Sequence, residues 1–76
     1  MLYSTVESTT LARVAYEERT QTLWLEFRSN AMYCYSGVPV AIHRGLIDAP
    51  SKGAYFNHNI RGRFPYKRQT VVQSLA

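Results

Sequence analysis

Apolar and polar positions alternate through the first half of the chain. Leu23, Leu25 and Phe27 take every second place against Trp24, Glu26 and Arg28. A period of two puts one set on each face of a strand. Ala12, Val14 and Tyr16 alternate with Arg13 and Ala15 in the same way, which predicts a strand with one buried face. Met32-Tyr33-Cys34-Tyr35 predicts a third strand with both tyrosines on one side. The connections are short and polar: Glu17-Glu18-Arg19-Thr20-Gln21, then Ser29-Asn30, where asparagine tolerates left-handed backbone angles. Three strands joined this way predict an antiparallel meander.

Beyond Tyr35 the period changes. Val38, Ile42, Leu46 and Ala49 recur at helical spacing with Ile47 beside them. Pro39 suits the first turn of that helix and Pro50 stops it. Ser51 is a good N-cap for a second short helix, Lys52 to Arg61, on which Tyr55, Phe56, Asn59 and Ile60 share a face. Gly62 suits the left-handed residue that ends it. Phe64-Pro65-Tyr66 reads as extended, because a residue before proline avoids the helical region.

The fold class expected is therefore α+β in two layers, a three-stranded antiparallel meander packed against two short helices. Residues 1–10, rich in Ser and Thr, read as an N-terminal arm or edge strand. Residues 11–66 form the single domain. Residues 67–76 read as a flexible tail in which Val71 and Val72 could add a brief strand. Two helices cover only one face of a sheet. Trp24 falls on the other, which makes it a candidate exposed aromatic or dimer contact.

Charge changes this picture. The net charge is +4, unevenly spread. Residues 1–42 hold three arginines against four glutamates, a net −1, whereas residues 43–76 hold six cations against Asp48, a net +5. Such asymmetry points to a polyanionic partner or to a solvated basic face. Within the basic half, Lys52, Arg61, Arg63, Lys67 and Arg68 are interleaved with Tyr55, Phe56, Phe64 and Tyr66. Single-stranded nucleic acid is held by that combination, cations on phosphates and aromatic faces under bases. Helical spacing assigns Tyr55, Phe56 and Ile60 to packing instead. This leaves Lys52, Arg61, Arg63, Tyr66, Lys67 and Arg68 as candidate nucleic-acid contacts, with Tyr66 the accessible aromatic. Lys52 at a helix start could assist with an anion.

Other chemistry finds little support. Cys34 is the lone cysteine, so an intramolecular disulfide and a four-cysteine zinc site are excluded. A free thiol suits a reducing cytosol, and in an apolar strand it reads as a small core residue. His43 and His58 match no metal-ligand spacing. Nucleophile motifs, phosphate loops and paired carboxylates are missing, so no enzyme, metal or cofactor is expected. No signal segment opens the chain and no apolar stretch reaches the roughly 20 residues of a membrane helix. The expectation is a cytoplasmic protein without a membrane partner.

Several of these residues also form a pattern. Tyr33-Cys34-Tyr35, Val38-Pro39, Ser51-Lys52-Gly53, Tyr55-Phe56-Asn57 and Ile60-Arg61-Gly62 with Phe64-Pro65-Tyr66 resemble, in order and spacing, the KTSC domain. The resemblance spans residues 8–68. That family takes its name from a C-terminal extension of some lysyl-tRNA synthetases and also occurs as small stand-alone proteins of bacteria and phages. The resemblance implies a compact αβ domain, and the synthetase context suggests RNA. The sequence thus leads to a small non-catalytic RNA-binding module with a basic C-terminal surface. The alternative is a protein-interaction or homodimerisation module, bacterial or phage in origin, that uses Trp24 or docks on an acidic protein.

Overall fold

The clearest alternation in the sequence becomes the middle of a sheet. A computed structural model describes residues 2–5 and 10–69, with side chains from Thr10 onward. Strands β1 (Leu2–Thr5), β2 (Leu11–Glu17), β3 (Thr22–Phe27) and β4 (Met32–Tyr35) come first. Helices α1 (Val40–Asp48) and α2 (Lys52–Asn59) follow, and β5 (Tyr66–Gln69) closes the order. The strands form one antiparallel sheet, β1-β2-β3-β4-β5.

The predicted three-strand meander is the centre of this five-stranded sheet. An edge strand was one of the two readings of residues 1–10, and Leu2–Thr5 is that strand. Lys67, Arg68 and Gln69, expected to open a tail, are instead strand and pair with Cys34, Tyr33 and Met32. The local sequence gives no strand signal there, since all four β5 residues are exposed. Pairing is dictated by the open edge of β4, and Ser36 N–H donating to Pro65 O at 2.9 Å continues it. Val71 and Val72 lie outside the described residues.

Register settles which side chains face the helices. Leu23 pairs with Tyr16 and Tyr35, and Leu25 with Val14 and Tyr33. Those residues form the inner face. In β2 the ladder shifts between Leu11 and Arg13. A bulge of this kind inserts a residue and re-aims the neighbouring side chains. Leu11 is thus fully buried where simple alternation selects Ala12, which is only half-buried.

The core joins Leu11, Val14, Tyr16, Leu23, Leu25 and Tyr35 of the sheet to Val38, Leu46, Phe56 and Ile60. Helix α1 starts at Val40 with Pro39 as its extended N-cap. Val38 sits before that proline, outside the helix, and fastens the connection. Its N–H donates to Gln21 O at 2.8 Å, and its carbonyl accepts the Tyr16 hydroxyl at 2.6 Å. Ala49, ahead of Pro50, is extended and ends the helix. Ser51 caps α2, its Oγ accepting Ala54 N–H at 3.3 Å. That helix stops two residues before the predicted Arg61, and Gly62 takes the left-handed conformation at φ 74°. Among the described residues no helix is long and apolar enough to cross a membrane.

Candidate functional site

The helices cover the inner face over β2 and β3 but leave part of β4 and β5 open. There the alternation of β4 presents Tyr33 and Tyr35, and β5 sets Tyr66 opposite Tyr35. The Tyr66 ring centroid lies 5.5 Å from that of Tyr33 and 5.6 Å from that of Tyr35. Phe56 of α2 meets Tyr35 and Phe27 edge-on at 5.9 and 5.2 Å. Phe27 in turn stands edge-on to Tyr33 at 5.6 Å. Edge-to-face and tilted pairs at these separations are favourable packing. The rings line a groove of about 310 Å³, completed by Ser29, Ala31, Arg61 and Gly62.

Electrostatics in the groove are specific. Burial pushes the Tyr35 phenol up to about 12, with Tyr33 and Tyr66 adding to the shift and Arg61 opposing it. Tyr35 therefore stays a neutral O–H donor at physiological pH, within the field of the Arg61 guanidinium. Tyr66 is 57 % exposed and is the exposed large hydrophobic residue among those described.

Comparison with known proteins places this architecture. The sequence matches the KTSC domain over residues 7–64. The chain belongs to the KTSC domain family. A crystal structure of a KTSC domain protein from Yersinia pestis superposes with a TM-score of 0.87 at 29% identity, covering 91% of this chain and 97% of that one. The lysine–tRNA ligase of Nostoc punctiforme is 40% identical over 62 residues, 82% of this chain but 11% of the synthetase. That of a Nostoc sp. is 49% identical over 53 residues, 70% of this chain and 9% of the synthetase. The chain thus spans about a tenth of the synthetases it matches. A protein of Stutzerimonas stutzeri is 36% identical over 52 residues, 68% of this chain and 73% of that protein.

The KTSC fold sorts the candidate residues into separate places. Arg61 and Tyr66 meet at the groove. Arg68 pairs with Tyr33 and, two residues from Tyr66, shares its side of β5. Lys67 alternates to the opposite face, where it pairs with Cys34. Arg63 donates from Nε to His58 O at 3.0 Å and so sits against the end of α2. Lys52 is engaged internally, its Nζ donating to Ile47 O and Ala49 O at 3.0 Å each. A cation there satisfies carbonyls left open at the C-terminal end of α1.

The face away from the helices carries Ala15, Trp24 and Cys34 in one cross-strand row. Trp24 is half-buried. Cys34 is half-buried on this outer face and is not a residue of the core between sheet and helices. Burial pushes its thiol up while Lys67 pulls it down. Beside the row, Arg13 Nε meets Glu26 Oε1 at 2.5 Å. His43 is buried in α1, and no group of three or more His, Cys, Asp and Glu able to hold a metal occurs among the described residues.

Phe56, assigned to packing by its helical spacing, is a core residue that also walls the groove, whereas Phe27, Tyr33 and Tyr35 were not among the candidates. Their signal was present, two tyrosines on one face of a strand. What turned them into a groove wall is the pairing of β5 with β4, which local sequence does not announce.

Proposed function

We propose that this KTSC domain is a non-catalytic, cytosolic module that binds single-stranded RNA along the open part of its inner face. One observation carries the reading: exposed Tyr66 lies in an aromatic groove with Arg61 at its rim and Arg68 on the same side of β5. Exposed aromatic surface beside cations suits bases on rings and phosphates on guanidinium groups. The net +5 of residues 43–76 favours the same partner. The lysine–tRNA ligases among the relatives are named for an RNA substrate, which supports RNA over DNA. Fluorescence anisotropy with labelled single-stranded RNA, matched DNA and duplex RNA tests this. The expected result is binding to single-stranded RNA at about 50 mM salt that weakens steeply as salt rises. No binding of RNA at that salt, or binding unchanged by Arg61→Ala with Arg68→Ala, overturns it.

A second reading is supported by the outer face. Trp24 and Cys34, cross-strand neighbours and both half-buried, lie on the face that the helices do not cover, beside buried Ala15. On this reading the row is a homodimer contact. Light scattering separates the two: a dimer that Trp24→Ala dissociates, with no affinity for RNA, favours the contact.

A further inference from the structure

We infer that the groove is a pocket for one unpaired nucleobase, seated against Tyr66 and Tyr33, with the neighbouring phosphates on Arg61 and Arg68. This rests on the RNA reading above and narrows it from bases along an aromatic surface to one base held in one defined pocket.

The shape of this half-open groove is the first argument. Tyr33 and Tyr35 form the floor, Phe56 of α2 stands on one side and Tyr66 of the edge strand on the other. An electropositive surface that only tracks phosphates needs no such recess. Size is the second. About 310 Å³ lies at the lower end of the roughly 300–1,000 Å³ typical of small-ligand pockets. One planar heterocycle fits; a base pair within a duplex does not enter, because its ring faces are stacked and its edges paired.

Charge complementarity is the third. The lining residues with polar side chains are Arg61, Ser29 and the three tyrosines. The described lining contains no carboxylate, so an occupant with acceptor oxygens and nitrogens and attached phosphates suits it. Nucleobases present such acceptors on their unpaired edges, and RNA proteins read those edges after splaying the base onto an aromatic ring. Tyr66 is suited to this by position. It belongs to an edge strand, is mostly exposed, and tilts by 42° to Tyr33 and 36° to Tyr35, which leaves it unstacked against either ring.

The test compares three probes on the full chain by anisotropy: a single-stranded RNA decamer, the same decamer abasic at every position, and the matched DNA. The abasic strand keeps the phosphates and lacks the bases. The expected result is at least about tenfold weaker binding of the abasic strand, the loss that a single stacked base brings. Tyr66→Ala should weaken the intact decamer by a similar factor and leave the abasic strand unchanged, while Tyr66→Phe restores binding. Tyr66 is exposed, so folding survives the change, and circular dichroism checks it. Equal binding of intact and abasic strands overturns the base pocket and leaves phosphate binding standing. No binding of either RNA overturns the RNA reading and the pocket with it. Matched DNA binding as tightly as RNA places the pocket in single strands of either sugar and overturns only the choice of RNA.

Discussion

The rings of Tyr16 and His43 lie flat against each other, centroids 4.5 Å apart and planes 9° from parallel. This contact joins the central sheet to α1. It also leaves His43 with an unusual environment: the residue is buried, and neither Nδ1 nor Nε2 has a hydrogen-bond partner among the described residues. The charged groups around it are Glu18, Arg44 and Asp48, which share the shallow cavity on its outer side. Burial lowers the His43 pKa from its ordinary 6.5, and Arg44 lowers it further.

Acid should therefore destabilise the domain through His43. The unfolded chain binds the proton first, near pH 6.5. The folded imidazole resists it to a lower pH. The contribution is fully present above about pH 6.5 and is lost as pH falls toward the folded value. Urea midpoints measured from pH 8 to pH 5 should be level at first and then drop below about 6.5. His43→Phe keeps a ring on Tyr16 without the unpartnered nitrogens. It should hold or raise stability at pH 7, because removing an unsatisfied buried polar group is neutral or favourable. It should also flatten the acid-side slope. A slope unchanged in His43→Phe would assign the acid sensitivity to other groups.

Lys52 gives a prediction that separates structure from binding. Its ammonium bridges Ile47 O and Ala49 O at the end of α1, next to the Ser51 cap of α2. Lys52→Met retains the aliphatic stem and removes both hydrogen bonds. Stability should fall by about 1–2 kcal/mol, the range for a hydrogen bond to a charged group that stays partly solvated. RNA affinity at a temperature where the variant is folded should change less than twofold. A large loss of affinity with unchanged stability would return Lys52 to the binding surface.

The sequence was informative where local chemistry decides the structure. Ser51 caps, Pro39 and Pro50 bound α1, Asn30 and Gly62 adopt left-handed angles, and Leu23-Leu25 point inward, each for a reason carried within a few residues. Long-range pairing was less legible. Leu11 replaces Ala12 in the core because of a bulge whose cause lies in the register with β3. The groove needs β5 beside β4, although Tyr66-Lys67-Arg68-Gln69 has no buried face to advertise a strand. Charge runs gave the region of interest but not its division, since Lys67 and Arg68 are adjacent in sequence and alternate across the sheet. Lys52 shows the same limit: a cation near a helix start belongs to whichever carbonyls lie within reach.

Gly45 tests the packing of the helices on each other. The Tyr55 ring of α2 rests on α1 at that position, and a Cβ there would sit 2.6 Å from Tyr55 Cζ. Glycine inside a helix costs about 1 kcal/mol relative to alanine. Gly45→Ala should nevertheless lower the melting temperature, because the half-buried ring must move aside. In a Tyr55→Ala background the same substitution should raise it. That reversal of sign, read by a double-mutant cycle, is the signature of the contact. Stabilisation by Gly45→Ala in the native background would show that the ring swings away at little cost.

The alternation of Lys67 and Arg68 supplies the sharpest electrostatic prediction. If phosphates run along the inner face, Arg68 contacts them and Lys67, paired with Cys34 on the outer face, does not. Both side chains are exposed and both carry one charge, so a non-specific attraction treats them alike. A localised contact does not. Each phosphate neutralised by a single-stranded ligand contributes about 0.7 to the slope of log affinity against log salt. Arg68→Gln should therefore weaken RNA binding several-fold and reduce that slope by about 0.7, whereas Lys67→Gln should move both by much less. Arg61→Gln should behave like Arg68→Gln, because Arg61 lies at the groove. Equal losses from Lys67 and Arg68 would mean that the ligand responds to net charge and not to a path across one face. The comparison needs no particular RNA sequence, since a decamer and a salt series are enough to read two neighbouring residues against each other.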